Sequence, residues 1–187
     1  MPSEEIVPAP GVLLIAPPMM QDPNFRRTVV LLCEHTEEGS FGLVLNRSLS
    51  LQPSAVLEGM EQYDGLISLG GPVQPDTLHV LHRHGDHVGD AVEVADCVFW
   101  GGNIEAIQHL VEGQHAAPNN LRFFLGYAGW SPGQLEHEIS LGGWILARSD
   151  SALVFTELPE RLWRDALRRM GGAYALLANF PDDPRMN

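Results

Sequence analysis

The sequence predicts an α+β fold with a largely antiparallel, coiled sheet and about three to four helices. Strand-like apolar runs follow one another along the chain, whereas helix patterns are scattered, so the steady strand–helix alternation of a parallel α/β protein is absent. In addition, the short connection Thr36–Ser40 joins two strand-like runs, which favours antiparallel pairing. A length of 187 residues is consistent with a single domain over 1–187. We expect loosely held ends at 1–10 and 180–187.

Several runs rich in branched and aromatic residues have the length and the flanking turn residues of β-strands. The predicted strands are Val12–Ala16, Thr28–Glu34, Leu43–Asn46, Leu66–Leu69, Thr77–His82, Ala91–Ala95, Leu121–Leu125, Trp144–Ala147 and Ala152–Phe155.

Four segments carry helix signals. Asn103 is a capping residue ahead of Ile104–Glu112, whose apolar residues share one face. Pro159–Met170 has the same amphipathic period, and Pro53–Gly59 predicts a short helix. A further helix is predicted to begin at Ser131.

The stretch that follows the buried run Leu121–Leu125 is the most informative part of the chain. Glycines predict a turn after the strand, and a strong helix start comes next. Ser131 can cap the helix, Pro132 suits its first position, and Gln134 completes the pattern of a capping box.

We expect this turn, residues 126–134, to form one wall of a groove with Tyr127 and Trp130 as flat, exposed aromatic surfaces. Trp130 directly precedes the capping serine, so the alternative is a hydrophobic staple in which Trp130 packs on Leu135. The first interpretation makes the turn a binding site, and the second makes it structural.

The segment Gly129–Gly133 also matches the G-x-S-x-G pattern of a hydrolase nucleophile elbow. In that elbow, the backbone N–H of the residue after the serine forms half of the oxyanion hole. Here that residue is Pro132, which has no N–H. A helix cap is therefore the better role for Ser131.

Composition restricts the possible partners. The net charge is −13 and all 11 basic residues are arginines, which fits either codon bias or a salt-adapted host. Such an acidic body repels DNA, so we expect no direct nucleic-acid binding.

No apolar run approaches the roughly 20 residues of a membrane span, and the acidic start lacks the positive region of a secretory signal. The chain also has only 2 cysteines, which is too few for a disulfide scaffold. We therefore expect a cytoplasmic protein without membrane contact.

Two clusters of basic side chains are candidate binding sites. His82, His84 and His87 flank a predicted hairpin turn and could hold zinc, although exposed turn histidines are commonly inert, and we predict neither a metal nor a cofactor. Three of the four arginines of the last predicted helix have an acidic residue four positions earlier, in the pairs Glu157–Arg161, Glu160–Arg164 and Asp165–Arg169, and only Arg168 lacks one. That pattern predicts a self-neutralised face rather than a basic patch.

Several segments in the same order resemble the AlgH/YqgE family of small bacterial proteins. They cover roughly residues 11 to 178, which is about one domain. The segments are Gly11–Ala16, Met20–Val30, Gly42–Arg47, Gly70–Val73, Gly126–Glu136 and Leu153–Trp163. The resemblance implies the YqgE-like fold. It implies no established activity, although the family has been called a transcriptional regulator by name.

The resemblance also points to individual residues, either as partners that fix strand ends or as the lining of a shared groove. Our ligand-groove candidates are Asp22, Phe25, His35, Asn46, Tyr127, Trp130 and Gln134. We predict no catalytic residue. The favoured function is a non-catalytic binding or indirect regulatory module that contacts an unknown protein or small-molecule ligand. The alternative is a hydrolase or transferase that uses a cleft near Tyr127 and Trp130.

Overall fold

A curled sheet of nine strands forms the body of the molecule in the computed structural model, which describes residues 5–182. The strands are β1 (Val12–Ile15), β2 (Val29–Thr36), β3 (Gly39–Val44), β4 (Ser68–Leu69), β5 (Val73–His82), β6 (Ala91–Ala95), β7 (Val98–Gly101), β8 (Leu121–Trp130) and β9 (Ile145–Arg148). Their order is β6-β7-β5-β8-β3-β2-β1-β9, and β4 pairs in parallel with β8. All the other pairs are antiparallel.

The helices pack on both faces of this sheet. They are α1 (Ile104–Glu112), α2 (Gln134–Ser140), α3 (Ser151–Val154), α4 (Leu162–Met170) and α5 (Gly172–Leu177), with single 3-10 turns at Pro53–Ala55 and Pro159–Arg161. Register shifts in β2, β5 and β6 interrupt the ladders. Such bulges increase the local twist and curl the sheet into an open half-barrel.

Three buried apolar clusters hold the layers together. The interior cluster joins one face of the sheet to α3 and α4, for example through Trp163 and Leu167. A second cluster lies under α1 and includes Ile107 and Phe123. The third, which we call the α2 cluster, lies under α2 and contains Trp130, Leu135 and Trp144, among others.

The predicted fold class is confirmed, and so are the elements with strong local signals. The Asn103 side chain accepts a hydrogen bond from the N–H of Ala106 at 3.0 Å, and α1 has the predicted bounds. Leu162, Trp163 and Leu167 of α4 are buried as expected. The predicted helix Pro53–Gly59 is reduced to a 3-10 turn.

Other sequence predictions were wrong. Ala152–Phe155 is not a strand but lies in and just after α3, because the Asp150 side chain accepts a hydrogen bond from the N–H of Leu153 and starts a helix. Strand β7 and helix α5 were not predicted. Strand β8 does not end at Leu125 but continues to Trp130, so the expected turn is mostly strand.

The chain ends were predicted to be loosely held, and residues 1–4 and 183–187 lie outside the described part. Within it, the C-terminal segment is tied down. The Arg27 guanidinium donates to the carbonyls of Phe180 and Pro181, and Arg164 forms an ion pair with Asp182 at 2.9 Å. The expectation of loosely held ends stays a prediction.

Across residues 5–182, every helix is too short or too polar to span a lipid bilayer.

Candidate functional site

One carboxylate organises the end of β8 and the helix after it. Glu138 Oε2 accepts hydrogen bonds from the indole N–H of Trp130 at 3.0 Å and of Trp144 at 2.8 Å. Its Oε1 accepts a bond from Gln134 Nε2 at 2.9 Å. We call Trp130, Gln134, Glu138 and Trp144 the Glu138 junction. It joins β8, α2 and the residue before β9 through charge-assisted hydrogen bonds, which are stronger than neutral ones.

The loop between β1 and β2 packs onto this junction. The ring of Phe25 lies 5.6 Å from Trp144, edge to face, and 6.3 Å from Trp130. Asp22 forms a turn in the same loop, since its side chain accepts the N–H of Asn24 at 2.9 Å. Asn46 holds the loop's far end by accepting from Val29 N–H and donating to the Arg27 carbonyl.

Ser131 does not have the capping role predicted for it. The N-cap of α2 is Gly133, which adopts a left-handed conformation with φ 76°, so the helix begins at Gln134. Only half of the capping box forms, because Gln134 Oε1 accepts the backbone N–H of Ser131 at 3.0 Å. The Ser131 hydroxyl donates to the same oxygen at 3.2 Å instead of capping a backbone N–H.

Trp130 was expected to be an exposed aromatic wall, and this was wrong. Only 6% of its surface is exposed, and it lies in the α2 cluster together with Leu135, as in the staple alternative. The physical reason is the extension of β8. Alternate residues of a strand point to opposite faces, so Tyr127 turns towards the interior cluster while Trp130 turns towards α2.

A groove of about 330 Å³ nevertheless borders both residues at the ends of β3 and β8. Its aromatic surface comes from Phe41 and Tyr127, whose rings stack at 4.6 Å, and from the small exposed part of Trp130. Glu34, Thr36 and Glu38 of β2 and its turn form the rim, and both carboxylates are exposed. Within the described residues, the Tyr127 hydroxyl makes no hydrogen bond, so it is available to a ligand. We call this the Tyr127 groove.

His35 lies between the junction and the groove. Its Nδ1 is 2.7 Å from Ser40 Oγ, and its Nε2 is 3.3 Å from a carboxylate oxygen of Glu136 on α2. Ser40 also borders the groove. The structure thus gathers Phe25, Trp130 and Gln134 at one place, links His35 to the same helix, and leaves Tyr127 on the other face.

Comparison with known proteins decides the family. A model of the AlgH-like family, DUF179, matches residues 13–175. The chain belongs to the AlgH-like family. A UPF0301 protein of Chlorobaculum tepidum is 47% identical over 178 residues, which is 95% of each chain. A UPF0301 protein of Cytophaga hutchinsonii is 42% identical over 178 residues, which is 95% of this chain and 98% of the relative.

Two solved structures are similar to the fold of this AlgH-like protein. A crystal structure of a Corynebacterium diphtheriae protein matches with a TM-score of 0.81 and 26% identity, over 95% of each chain. The solution structure of AlgH from Pseudomonas aeruginosa matches with a TM-score of 0.71 and 34% identity, over 96% of this chain and 98% of the other.

The histidines His82, His84 and His87 of this AlgH-like chain do not form a common metal site. His82 is buried, and its two ring nitrogens contact the Gly101 carbonyl at 2.9 Å and the backbone N–H of His84 at 3.1 Å. Burial lowers the pKa of His82. Among residues 5–182, no group of three or more histidine, cysteine or acidic side chains is placed to hold a metal ion.

The arginines of α4 are paired with acids, but not as the sequence predicted. Arg161 and Arg168 each lie 3.8 Å from Asp165, and Arg169 lies 2.6 Å from Asp150. The expected acid-first pairs, such as Glu157–Arg161, are replaced by two pairs within the helical segment that share Asp165 and by the tertiary pair Arg169–Asp150.

Sequence reasoning missed Arg122 by treating Leu121–Leu125 as uniformly apolar. Only 7% of Arg122 is exposed, and it borders a separate cavity of about 290 Å³. A single charged residue inside a strand of large apolar side chains was the signal that could have identified it.

Two further cavities lie beside the N-terminal segment. Residues 5–7 and 9–12 line the larger one, of about 510 Å³, and Ile6, Arg148 and Ser149 border both.

Proposed function

We propose that this AlgH-like protein is a non-catalytic binding or indirect regulatory module of the cytoplasm. In this proposal, the Tyr127 groove binds a cationic group of a partner protein or of a small-molecule ligand. The observation that carries the proposal is the stacked pair Phe41 and Tyr127 beneath a rim that contains Glu34 and Glu38.

The chemistry of this lining favours cations. Aromatic rings attract guanidinium and ammonium groups through their negative faces, and desolvation beside a ring strengthens the attraction. The carboxylates of Glu34 and Glu38 add charge complementarity at the rim. Tyr127 can also give or accept one hydrogen bond through its hydroxyl.

The same charges disfavour phosphate backbones. The net charge is −13, and the described arginines of α4 are engaged with Asp150, Asp165 and Asp182. Nucleic-acid binding depends on cationic side chains that displace counterions from phosphates. We therefore propose that any regulatory role is exerted through a protein or a small ligand and not through direct contact with DNA.

Titration with a tetra-arginine peptide, followed by amide NMR shifts, tests the groove. We expect saturable shifts at Phe41 and Tyr127, and Glu38→Gln should weaken binding about threefold, the scale of one partly exposed charge pair. Glu37→Gln is the matched control, because Glu37 is the adjacent exposed acid outside the groove lining. Equal effects of the two substitutions would mean non-specific attraction and would overturn the proposal.

Native mass spectrometry of the purified protein provides a second, independent test. A co-purifying cationic molecule or peptide that is lost in Tyr127→Leu would support the proposal. A co-purifying cationic molecule that is retained in Tyr127→Leu would contradict it.

One observation favours a second candidate, acyl transfer by a serine nucleophile. Ser40 Oγ lies 2.7 Å from His35 Nδ1, and Glu136 lies on the other side of the imidazole. His35 would take the Ser40 proton while Oγ attacks an acyl carbon, and it would give that proton to the leaving group as the bond between the acyl carbon and the leaving group breaks. Glu136 would hold the ring. Ser40 lies in a strand paired on both sides, so its backbone N–H faces a partner strand and provides no oxyanion donor.

A fluorophosphonate probe distinguishes the two candidates. Under the binding proposal, neither Ser40 nor Ser131 is labelled. Labelling at Ser40 that disappears in His35→Gln would establish the enzyme instead. Labelling at Ser131 would restore the nucleophile elbow that Pro132 argues against.

A further inference from the structure

We propose that the cavity beside Arg122 binds a small oxyanion, either a carboxylate or a phosphate group. This site is separate from the Tyr127 groove and does not depend on the function proposed for it. Arg122 and Tyr127 lie five positions apart on β8, which corresponds to about 16 Å along a strand.

The first argument is a buried charge without a charged partner. The Arg122 guanidinium donates to the carbonyls of Val154 at 2.8 Å and Leu45 at 2.6 Å, and to Ser68 Oγ at 2.9 Å. All three acceptors are neutral. Within residues 5–182, no carboxylate forms an ion pair with this side chain. A buried charge is destabilising unless it is paired. An anion bound beside Arg122 would therefore reduce the free-energy cost of burying this guanidinium.

Arg122 remains positively charged at neutral pH. Burial lowers its pKa to about 10, which is still well above 7. The nearest phenol does not neutralise it. Burial raises the pKa of Tyr63, and the Tyr63 hydroxyl donates to the Leu121 carbonyl at 2.6 Å. Tyr63 is therefore uncharged, and its proton is already engaged.

The second argument is the supply of unused donors. A guanidinium has five N–H donors, and the three bonds of Arg122 leave Nε–H and one Nη1–H without an acceptor in the described protein. Ser68 accepts from Arg122 through its oxygen, so its own hydrogen can point to a ligand. Ser48 and Thr156 add hydroxyls to the same lining. This set of donors matches the acceptor-only surface of an oxyanion.

The size and the charge of the opening restrict the ligand. A volume of about 290 Å³ is at the lower end of small-molecule sites, so it suits a compact anionic group and not a nucleotide. Glu157 and Glu160 border the cavity and are exposed. Because they repel anions at the opening, we expect millimolar affinity, and we expect removal of either carboxylate to tighten binding.

The side-chain Nε–H resonance of Arg122 reports directly on the site. The intact protein is titrated separately with inorganic phosphate and with acetate, at ionic strength held constant with sodium chloride. We expect a saturable shift of Arg122 Nε–H and no saturable shift of Arg83 Nε–H. Saturation by phosphate alone, or by acetate alone, would identify which anion the site prefers, and either result supports the proposal.

Variants around the cavity avoid removing Arg122 itself, which could unfold the chain. Glu157→Gln should tighten anion binding about threefold, whereas the exposed and distant Glu105→Gln should leave it unchanged. Ser68→Ala should weaken binding, because it removes one donor. The proposal is overturned if neither anion gives a saturable Arg122 shift, or if chloride gives the same shift, or if Glu157→Gln and Glu105→Gln behave alike.

Discussion

Replacing Glu138 tests whether one carboxylate holds α2 onto the sheet. Glu138→Ala removes the acceptor of the indole N–H groups of Trp130 and Trp144, which are only 6% and 5% exposed. Each buried donor left unpaired costs about 1–3 kcal/mol, which gives about 2–6 kcal/mol for the pair. Glu138 is itself only partly buried, so water can occupy the space it leaves. We therefore expect a loss near the lower half of that range, about 3 kcal/mol.

The same helix provides the control. Glu136 is exposed and pairs with His35, so Glu136→Ala should cost less than about 1 kcal/mol. Urea denaturation followed by tryptophan fluorescence and by circular dichroism measures both free energies of unfolding. Glu138→Gln should fall between the two, because it keeps one oxygen acceptor but loses the charge. If Glu138→Ala and Glu136→Ala prove equally stable, the junction is not the stabilising feature described here.

Four further predictions follow from the described contacts. Trp130→Ala should lower the free energy of unfolding by about 3 kcal/mol or more, and Trp130 should resist acrylamide quenching. Ser131→Ala should change stability by less than about 0.5 kcal/mol, because its hydroxyl meets only the exposed Gln134 side chain; a loss above 1 kcal/mol would restore the capping role. His79 has a buried, unpartnered Nε2 and a pKa lowered by burial, so the unfolded chain binds its proton more readily and stability is lost as pH falls below 6.5. His79→Phe should flatten that loss in urea titrations at several pH values; an unchanged slope would contradict it. Finally, specific retardation of a DNA duplex at physiological salt should not occur, and its persistence over competitor DNA would refute the electrostatic argument.

Local signals explain which elements could be predicted from the sequence. Helix α1 has its cap at Asn103 and its end at Gly113 within the segment itself, so no distant residue is needed to define it. The run Ala152–Phe155 is too short for its periodicity to distinguish strand from helix. This segment forms a helix because Asp150 caps it and because its apolar residues pack in the interior cluster.

The predicted end of β8 at Leu125 was wrong because the prediction placed the start of a turn at Gly126. Gly126 has φ 72°, which is typical of a turn, yet β8 continues because the bulge in β5 opposite it absorbs the irregularity. Because β8 reaches Trp130 and successive side chains of a strand alternate between its two faces, Tyr127 and Trp130 point to opposite faces. The sequence could not supply this step, since β5 lies some fifty residues earlier in the chain.

The candidate sites were predictable to different degrees. The motif residues Phe25, Trp130 and Gln134 do meet, but around Glu138, which joins them through long-range contacts that spacing alone does not reveal. Phe41 of the Tyr127 groove was not predicted, because its partner lies on β8 and is far away in sequence. Whether the groove candidates bind a ligand stays a prediction for the titrations above.

The arginines that bond to distant carbonyls explain part of the chain's unusual composition. Arg27, Arg47, Arg122 and Arg164 each donate to at least one main-chain oxygen remote in sequence, and the first three each bridge two. A lysine ammonium carries all its donors on one nitrogen and lacks the planar fork of a guanidinium. Arg122 uses two nitrogens to reach two carbonyls and therefore needs that fork, whereas Arg27 and Arg47 each donate to both carbonyls from a single nitrogen. Codon bias can account for arginine at a solvated position such as Arg168, but geometry requires it at Arg122. If the genome's base composition drifted towards lysine codons, the solvated arginines would be exchanged first and Arg122 last.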